Sequence, residues 1–379
     1  MSKKEKTLKG VKTPSRRKFF KVAAATGAAA AASVAMPNIA FGAPQTLKMQ
    51  AAWPSGANIF FEMAKDYCDM VGAMSGGELK IDLQPVGAIV KTGEIGQAVS
   101  SGVLDMGHWV TAYWYGKNTA ASLFGTGPSY GMSSQEIMGW MEYGGGRKLY
   151  NETLAKVGFD YVGFFHMPMP AQPFGWFKKN VTKVSDVKGM KYRTVGLATD
   201  VLTAMGMVVR NLPGGEIQPA MKTGLIDAAE FNNPTSDSQF GMQDVSKHYH
   251  LGSFHQSQEM FEIPVNKKKF NSLSPAHQAI LKNAAYAANS DNYFKALVRY
   301  SADLAKLMNE HKVNVYQTSD AILAAQLKGW DNVAVPYKQR TLQTNRDEDN
   351  SGTTLYIPIT DPAPKQYTQQ QQRIKLKTR

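Results

Sequence analysis

The sequence predicts an α/β fold organised on a parallel sheet, and three observations lead there. The stretch Gly189-Met190-Lys191-Tyr192-Arg193-Thr194-Val195-Gly196 reads as a short strand rich in aromatic and β-branched residues. Some thirty residues on, Gly224-Leu225-Ile226-Asp227-Ala228-Ala229-Glu230-Phe231 reads as another. Between them lie a helix over 197–207, the Pro213-Gly214-Gly215 break and a helix over 216–223. Strands alternating with helices build a parallel sheet. Ligands of such sheets sit beyond the carboxyl ends of strands, and Arg193 and Glu230 lie at two such ends.

The elements follow in order. A strand over 46–53 opens the body, and Pro54-Ser55-Gly56 turns it into a helix over 57–74. Phe60, Phe61, Ala64, Tyr67, Cys68 and Val71 fall there at helical spacing. Ser75-Gly76-Gly77 ends that helix. A strand over 78–84, a helix over 92–101 and a strand over 103–110 complete a β-α-β-α-β start. Tyr113, Trp114 and Tyr115 follow the last strand, as cleft wall or as core. A loop over 125–134 leads to a helix over 135–157, loosened by Gly144-Gly145-Gly146. A strand over 159–167 is punctuated by Pro168, Pro170 and Pro173, and an extended run, 171–177, resumes. Ser274-Pro275 is a helix start, with Ser as N-cap and Pro in the first turn. That helix could run to residue 311, with Asn289-Ser290 as its one candidate break. A strand over 313–317 and a helix over 320–330 close the body.

Charge bounds the function. Of the formal +13, residues 1–43 supply +8, from nine Lys/Arg and Glu5, leaving +5 for the rest. Sequence-independent phosphate binding needs a clustered basic patch, and the body has none, so nucleic acid is not an expected partner. Ser15-Arg16-Arg17-Lys18-Phe19-Phe20-Lys21 is a twin-arginine export motif. An apolar run over 22–35 and small residues at Ala40, Gly42 and Ala43 follow it. The run is too short to span a bilayer. Residues 1–43 are therefore expected to be a signal peptide directing a folded protein to the periplasm. The single cysteine, Cys68, can form no intramolecular disulfide and reads as a small buried side chain.

Lys-Tyr-Arg, Leu212-Pro213-Gly214-Gly215-Glu216 and Lys222-Thr223-Gly224-Leu225-Ile226-Asp227-Ala228-Ala229-Glu230, in this order, resemble the solute-binding subunits of tripartite ATP-independent periplasmic (TRAP) transporters. The likeness covers roughly residues 46–330 and is strongest to the branch that binds 2-oxo and 2-hydroxy monocarboxylates. It implies a two-lobed periplasmic binding protein (a Venus flytrap) with a long helix packing across both lobes. Residues 44–170 with 257–335 would form the first lobe and that helix, and 171–256 the second. The last part departs from the family, which carries a long C-terminal helix used in dimerisation. Here a polar run at 346–352, then Pro358, Pro362 and Pro364, predict a disordered tail over 336–379. The departure fits a replaced or frameshifted C-terminus and sets the implied homodimer in opposition to the sequence.

The resemblance also supplies a site. Arg193 offers a planar fork to a carboxylate. Gln172, on the segment crossing between lobes, and Glu230 with Phe231 are implied partners. An anionic Glu230 beside an anionic ligand is repulsive. A cation between them resolves this. The Gln172 and Phe231 carbonyls, the Glu230 carboxylate and two ligand oxygens form a hard oxygen shell that suits Na⁺ or Ca²⁺. Phe231 stands where relatives often carry Trp. Tyr113, Tyr115, Asn232 and Trp53 are further candidates for the pocket wall. No catalytic residue and no organic cofactor are expected, and the partners are a small carboxylate and TRAP membrane subunits. The rival readings are a twin-arginine-exported enzyme, with His248, His250 and His255 as metal ligands, a receptor for another organic acid, or an ATP-driven uptake receptor.

Overall fold

Two six-stranded sheets carry the molecule, and the chain passes between them three times. The computed structural model describes residues 44–129 and 131–348, the last fourteen by their backbone alone. Residues 1–43, the expected signal peptide, and residues 349–379 lie outside the described residues.

The first sheet contains β1 (Gln45–Ala51), β2 (Leu79–Gln84), β3 (Met106–His108), β4 (Thr126–Gly127), β5 (Tyr161–Met169) and β11 (Gln258–Asn266). Its order is β2-β1-β3-β11-β4, with β5 paired to β11. β1 and β3 run parallel, while β11 is antiparallel to β3, β4 and β5. The second sheet contains β6 (Gly175–Phe177), β7 (Lys191–Arg193), β8 (Val208–Arg210), β9 (Ala228–Ala229), β10 (His248–Leu251) and β12 (Asn314–Gln317), in the order β12-β10-β6-β9-β7-β8. The predicted parallel unit is present as β8-β7-β9. β6 enters against it, antiparallel to β9 and β10. Both sheets are therefore mixed.

Helices α1 (Ile59–Met74), α2 (Ile95–Ser101), α3 (Ser134–Tyr143), α4 (Gly146–Val157), α5 (Val184–Val187), α6 (Ala198–Ala204), α7 (Ile217–Thr223), α8 (Pro234–Gln239), α9 (Lys267–Ser272), α10 (Pro275–Asn309) and α11 (Asp320–Glu348) cover them. Asn58 caps α1 by accepting from the N–H groups of Phe60 and Phe61. Ser274 caps α10 at His277, with Pro275 in its first turn. Gly145, at φ 95°, separates α3 from α4 where the glycine triplet was expected to loosen one helix. α10 packs on α1 and β5 of the first lobe and on α8, which follows β9. Two ion pairs pin α10 to α1: Arg299 grips Glu62 with both guanidinium nitrogens, and Lys295 reaches Asp66.

Three expectations need correction. Asn289-Ser290 does not break α10. Asn289 turns inward, accepting from Met167 N–H at 2.9 Å and donating to the Phe165 carbonyl at 3.1 Å, so its polarity serves β5. Residues 313–335 belong with the second lobe: β12 pairs with β10 in parallel, and α11 packs on α6 and α5. α11 also runs on to Glu348, through residues assigned to the disordered tail. Lys338, Gln339, Arg340, Leu342 and Gln343 are good helix formers, and of the breakers cited for a tail, Pro358, Pro362 and Pro364 lie further on. Among the described residues no helix is long and apolar enough to cross a membrane. Cys68 is buried, as expected of a small apolar side chain.

Two positions carry direct tests. Gly175, where the chain enters the second sheet, has φ +111°, and a Cβ there would lie 2.3 Å from the Ala229 carbonyl oxygen. Backbone cannot yield as a flexible side chain can, so Gly175→Ala should destabilise by about 2–4 kcal/mol, read as a lower urea midpoint. Glu262 is buried on β11, accepting from Trp109 Nε1 at 2.8 Å, Tyr161 at 3.2 Å and the Tyr150 hydroxyl. Burial pushes its carboxyl up to about 8, the Trp109 hydrogen bond opposing. The folded state thus holds the proton more tightly than the unfolded chain, where the value is 4.5. The resulting stabilisation is complete below pH 4.5 and is lost as pH rises through about 8. The difference in unfolding free energy between wild type and Glu262→Gln should fall by up to about 1.4 kcal/mol per pH unit across that window, measured by urea titrations from pH 5 to 9.

Candidate functional site

β7 and β9 are neighbours in register, with Arg193 opposite Ala229. The residue after Ala229 is Glu230, so parallel pairing alone brings the two candidate charges to one edge. Arg193 Nη1 donates to Glu230 Oε1 at 2.9 Å and to the Glu230 carbonyl at 3.1 Å, and Nε donates to the Leu212 carbonyl at 2.9 Å. Among the described residues Nη2 has no protein partner. The Leu-Pro-Gly-Gly loop therefore has two local roles. Leu212 aims the guanidinium, and Gly214 clears the Phe231 ring, which a Cβ would meet at 2.5 Å. Gly175 allows β6 to press against Ala229 and the Glu230 Cα.

Gln172 reaches this pair from the first crossing segment and Gln256 from the second. Their backbones are joined, Gln172 N–H to the Gln256 carbonyl at 3.1 Å. Gln172 Nε2 donates to Gln256 Oε1 at 2.9 Å and to Glu259 Oε2 at 2.5 Å. Gln256 Nε2 donates in turn to Thr194 Oγ1 at 3.2 Å and, weakly, to Glu230 Oε1 at 3.4 Å. Asn232 Nδ2 donates to Glu259 Oε2. Arg193, Glu230, Gln172, Gln256, Glu259 and Asn232 thus form one continuous network, and every member is buried.

Two oxygens in that network are buried without a hydrogen-bond partner: Gln172 Oε1 and Glu230 Oε2. Such orphans are uncommon in folded proteins and call for an explanation. Burial pushes the Glu230 carboxyl up to about 7 against the pull of Arg193. Glu259 rises to about 8, with burial the main cause and the Gln172 hydrogen bond opposing. Tyr113 is held up at about 12 by burial, and its hydroxyl senses Arg193, Glu259 and Glu230.

The structure thus brings Arg193, Gln172, Glu230 and Asn232 together, with Tyr113 beside them. Phe231 lines the same edge, its ring against Phe240 at 4.4 Å and Phe60 at 5.6 Å. Two candidates fall elsewhere. Tyr115 donates to Asp200 Oδ1 at 2.8 Å and packs with Leu197, Val201 and Trp330, so it ties the lobes together away from the network. Trp53 lies one ring back, stacked on Phe261 at 4.4 Å and beside Phe60. Its indole N–H donates to His108 Nδ1 at 2.7 Å; His108 Nε2 then faces His166 Nδ1 at 2.7 Å. Burial holds both histidines neutral.

Glu259, Gln256, Thr194 and Tyr300 were missed. Tyr300 of α10 has a buried hydroxyl without a partner, under the charges of Glu259 and Asp237. The sequence did hold one signal. Glu259 and Glu262 interrupt an apolar strand, and acids buried in strands need partners. The histidine alternative finds no support in the geometry. His250 stacks on Tyr316, His255 meets Ser253 and Phe174, and among the described residues no group of three His, Cys, Asp or Glu could hold a metal.

This fold and site define a two-lobed receptor. Residues 50–339 match the model of the bacterial extracellular solute-binding proteins, family 7 (DctP), and the chain belongs to that family, the solute-binding subunits of TRAP transporters. It is a receptor and not an enzyme. It is 32% identical over 242 residues to a monocarboxylate 2-oxoacid-binding periplasmic protein of Nostoc sp.; the match spans 64% of this chain and 65% of that protein. A TRAP periplasmic solute-binding protein from Pseudoalteromonas atlantica, solved with bound sodium and pyruvate, superposes with TM-score 0.74 at 28% identity, over 80% of this chain and 91% of that one. One from Colwellia psychrerythraea, with bound calcium and pyruvate, gives 0.72 at 30% identity, over 80% and 92%. One from Bordetella bronchiseptica, with calcium and picolinate, gives 0.73 at 25% identity, over 82% and 96%.

Removing one partner of the buried pair should be severe. Arg193→Ala leaves Glu230 buried beside an empty space and should cost about 3–5 kcal/mol in urea unfolding of the ligand-free protein. Adding Glu230→Gln should restore part of that loss, because the uncompensated charge is gone.

Proposed function

We propose that this chain is a twin-arginine-exported periplasmic receptor that captures a small 2-oxo or 2-hydroxy monocarboxylate together with Na⁺ or Ca²⁺, and delivers it to TRAP membrane subunits. One observation carries the reading: a buried arginine beside two buried, partnerless oxygens on Gln172 and Glu230. The donor set is hard and oxygen-only, as alkali and alkaline-earth ions require. Gln172, Glu230 and the Phe231 carbonyl would hold the ion. A single carboxylate among them leaves the shell incomplete without ligand oxygens; a 2-oxo or 2-hydroxy acid can chelate through its carboxylate and its C2 oxygen, and a plain acid lacks the C2 oxygen.

Arg193 would anchor the carboxylate through Nη2, the guanidinium nitrogen that neither Glu230 nor Leu212 takes. A charge-assisted hydrogen bond contributes about 1.5–3 kcal/mol net, against about 8 for micromolar binding. The remainder must come from the ion, desolvation and closure. Closure has contacts of its own: Tyr115 to Asp200 at 2.8 Å, Ile59 N–H to Gln239 at 2.9 Å, and Phe60 against Phe231. The network is buried, so ligand exchange requires the lobes to part. A ligand held by both lobes then favours the closed state by its differential affinity. The relatives solved with pyruvate and either ion support the ligand class.

A thermal-shift screen tests this. Pyruvate or lactate with Na⁺ or Ca²⁺ should raise the melting temperature, by about 2.7 kcal/mol of stability at a hundredfold excess over Kd. Propionate should do far less, and Arg193→Lys should lose the effect because a single ammonium cannot hold Glu230 and the Leu212 carbonyl and still reach the ligand. No stabilisation by any 2-oxo or 2-hydroxy monocarboxylate with either ion would reject the reading.

A further inference from the structure

We propose that Glu259 is a positioning residue for cation binding: with Gln256 it fixes which end of the Gln172 amide faces the ion. The inference rests on the cation-assisted reading above and goes beyond it.

An amide presents an oxygen at one end and an NH₂ at the other, and the two are near-isosteric. Turned one way, Gln172 offers the ion a carbonyl; turned the other, it offers two partial positive hydrogens. The flip state must therefore be decided by the neighbours, and the network decides it from both ends. Glu230 Oε1 accepts from Arg193, so the end of Gln256 that approaches it is the NH₂. Gln256 Oε1 then faces Gln172 and can only accept, which turns the Gln172 NH₂ towards it. Glu259 Oε2 receives a second hydrogen from the same NH₂. Both amide hydrogens are used, and Oε1 is left buried with no partner. Asn232, whose Nδ2 also donates to Glu259, holds the carboxylate in place.

Glu259 comes from β11 of the first lobe, Gln172 and Gln256 from the crossings, and Glu230 from the second lobe. The orientation of the amide is thus set only when all four segments meet. What position 259 supplies is an acceptor oxygen. A glutamine can supply one, and a leucine of similar size cannot.

The test titrates Na⁺ and, separately, Ca²⁺ into full-length mature protein at saturating pyruvate, following tryptophan fluorescence. Pyruvate binding without added cation is measured in parallel. Glu259→Leu should weaken apparent cation affinity about 10–100-fold, as loss of a partner behind a ligand does. Glu259→Gln should keep cation affinity within about threefold. Glu262→Leu, a buried acid of the same strand outside the network, should leave cation affinity unchanged and so reports on mere destabilisation. If Glu259→Leu does not fold, the Gln variant still decides. A 10–100-fold loss in Glu259→Gln would overturn the proposal, because the charge and not the acceptor would then be what the ion needs. Unchanged cation affinity in Glu259→Leu would overturn it equally. A wild type whose pyruvate binding ignores both cations removes the reading beneath it, and that arm stands apart from the variants.

Discussion

A guanidinium only 1% exposed is the constraint on which the rest of the structure depends. Taking a charge out of water costs several kcal/mol even after relaxation. The fold offsets this with the Glu230 side chain, two main-chain carbonyls and the surrounding amides. Each partner needs its own device. Parallel pairing of β7 and β9 delivers Glu230, the Leu-Pro-Gly-Gly loop delivers the Leu212 carbonyl, and Gly175 lets β6 close against both. Apolar residues of the same volume would serve stability as well or better, so stability alone does not account for the pair.

The network is placed where the chain changes sheets. Gln172 and Gln256 lie on the first two crossing segments and are joined backbone to backbone, while Glu259 is the second residue of the strand that returns to the first lobe. The site is therefore assembled from both lobes and the segments that join them. The ties that hold the lobes elsewhere are few, and each contributes about 1 kcal/mol. A receptor needs this balance: a closed state that a ligand can favour, and a barrier low enough for release. α10 packs on both lobes and is pinned to α1 by ion pairs.

Much of this was legible along the chain, for identifiable reasons. Arg193 and Glu230 each end a short strand, and strand ends in α/β sheets are where ligands gather. The Ser274-Pro275 cap announced α10 because capping is a local interaction. Asn289 was misread because its polarity looks like a helix break until β5 is seen against it. β12 and α11 were assigned to the wrong lobe, since nothing local states which sheet an edge strand joins. Tyr115 looked like a cleft aromatic by position, yet its hydroxyl finds Asp200 eighty-five residues on.

Family resemblance put forward Gln172, and local chemistry, readable without coordinates, settled the α/β class, the long helix and the strand ends where Arg193 and Glu230 sit. These depend on periodicity, capping and residue type, which act over a few positions. Tertiary structure alone decided that Gln256 and Glu259 join them, and that two oxygens remain buried without partners. Hydrogen-bond satisfaction is a property of every neighbour at once, and those neighbours come from four separate segments of the chain.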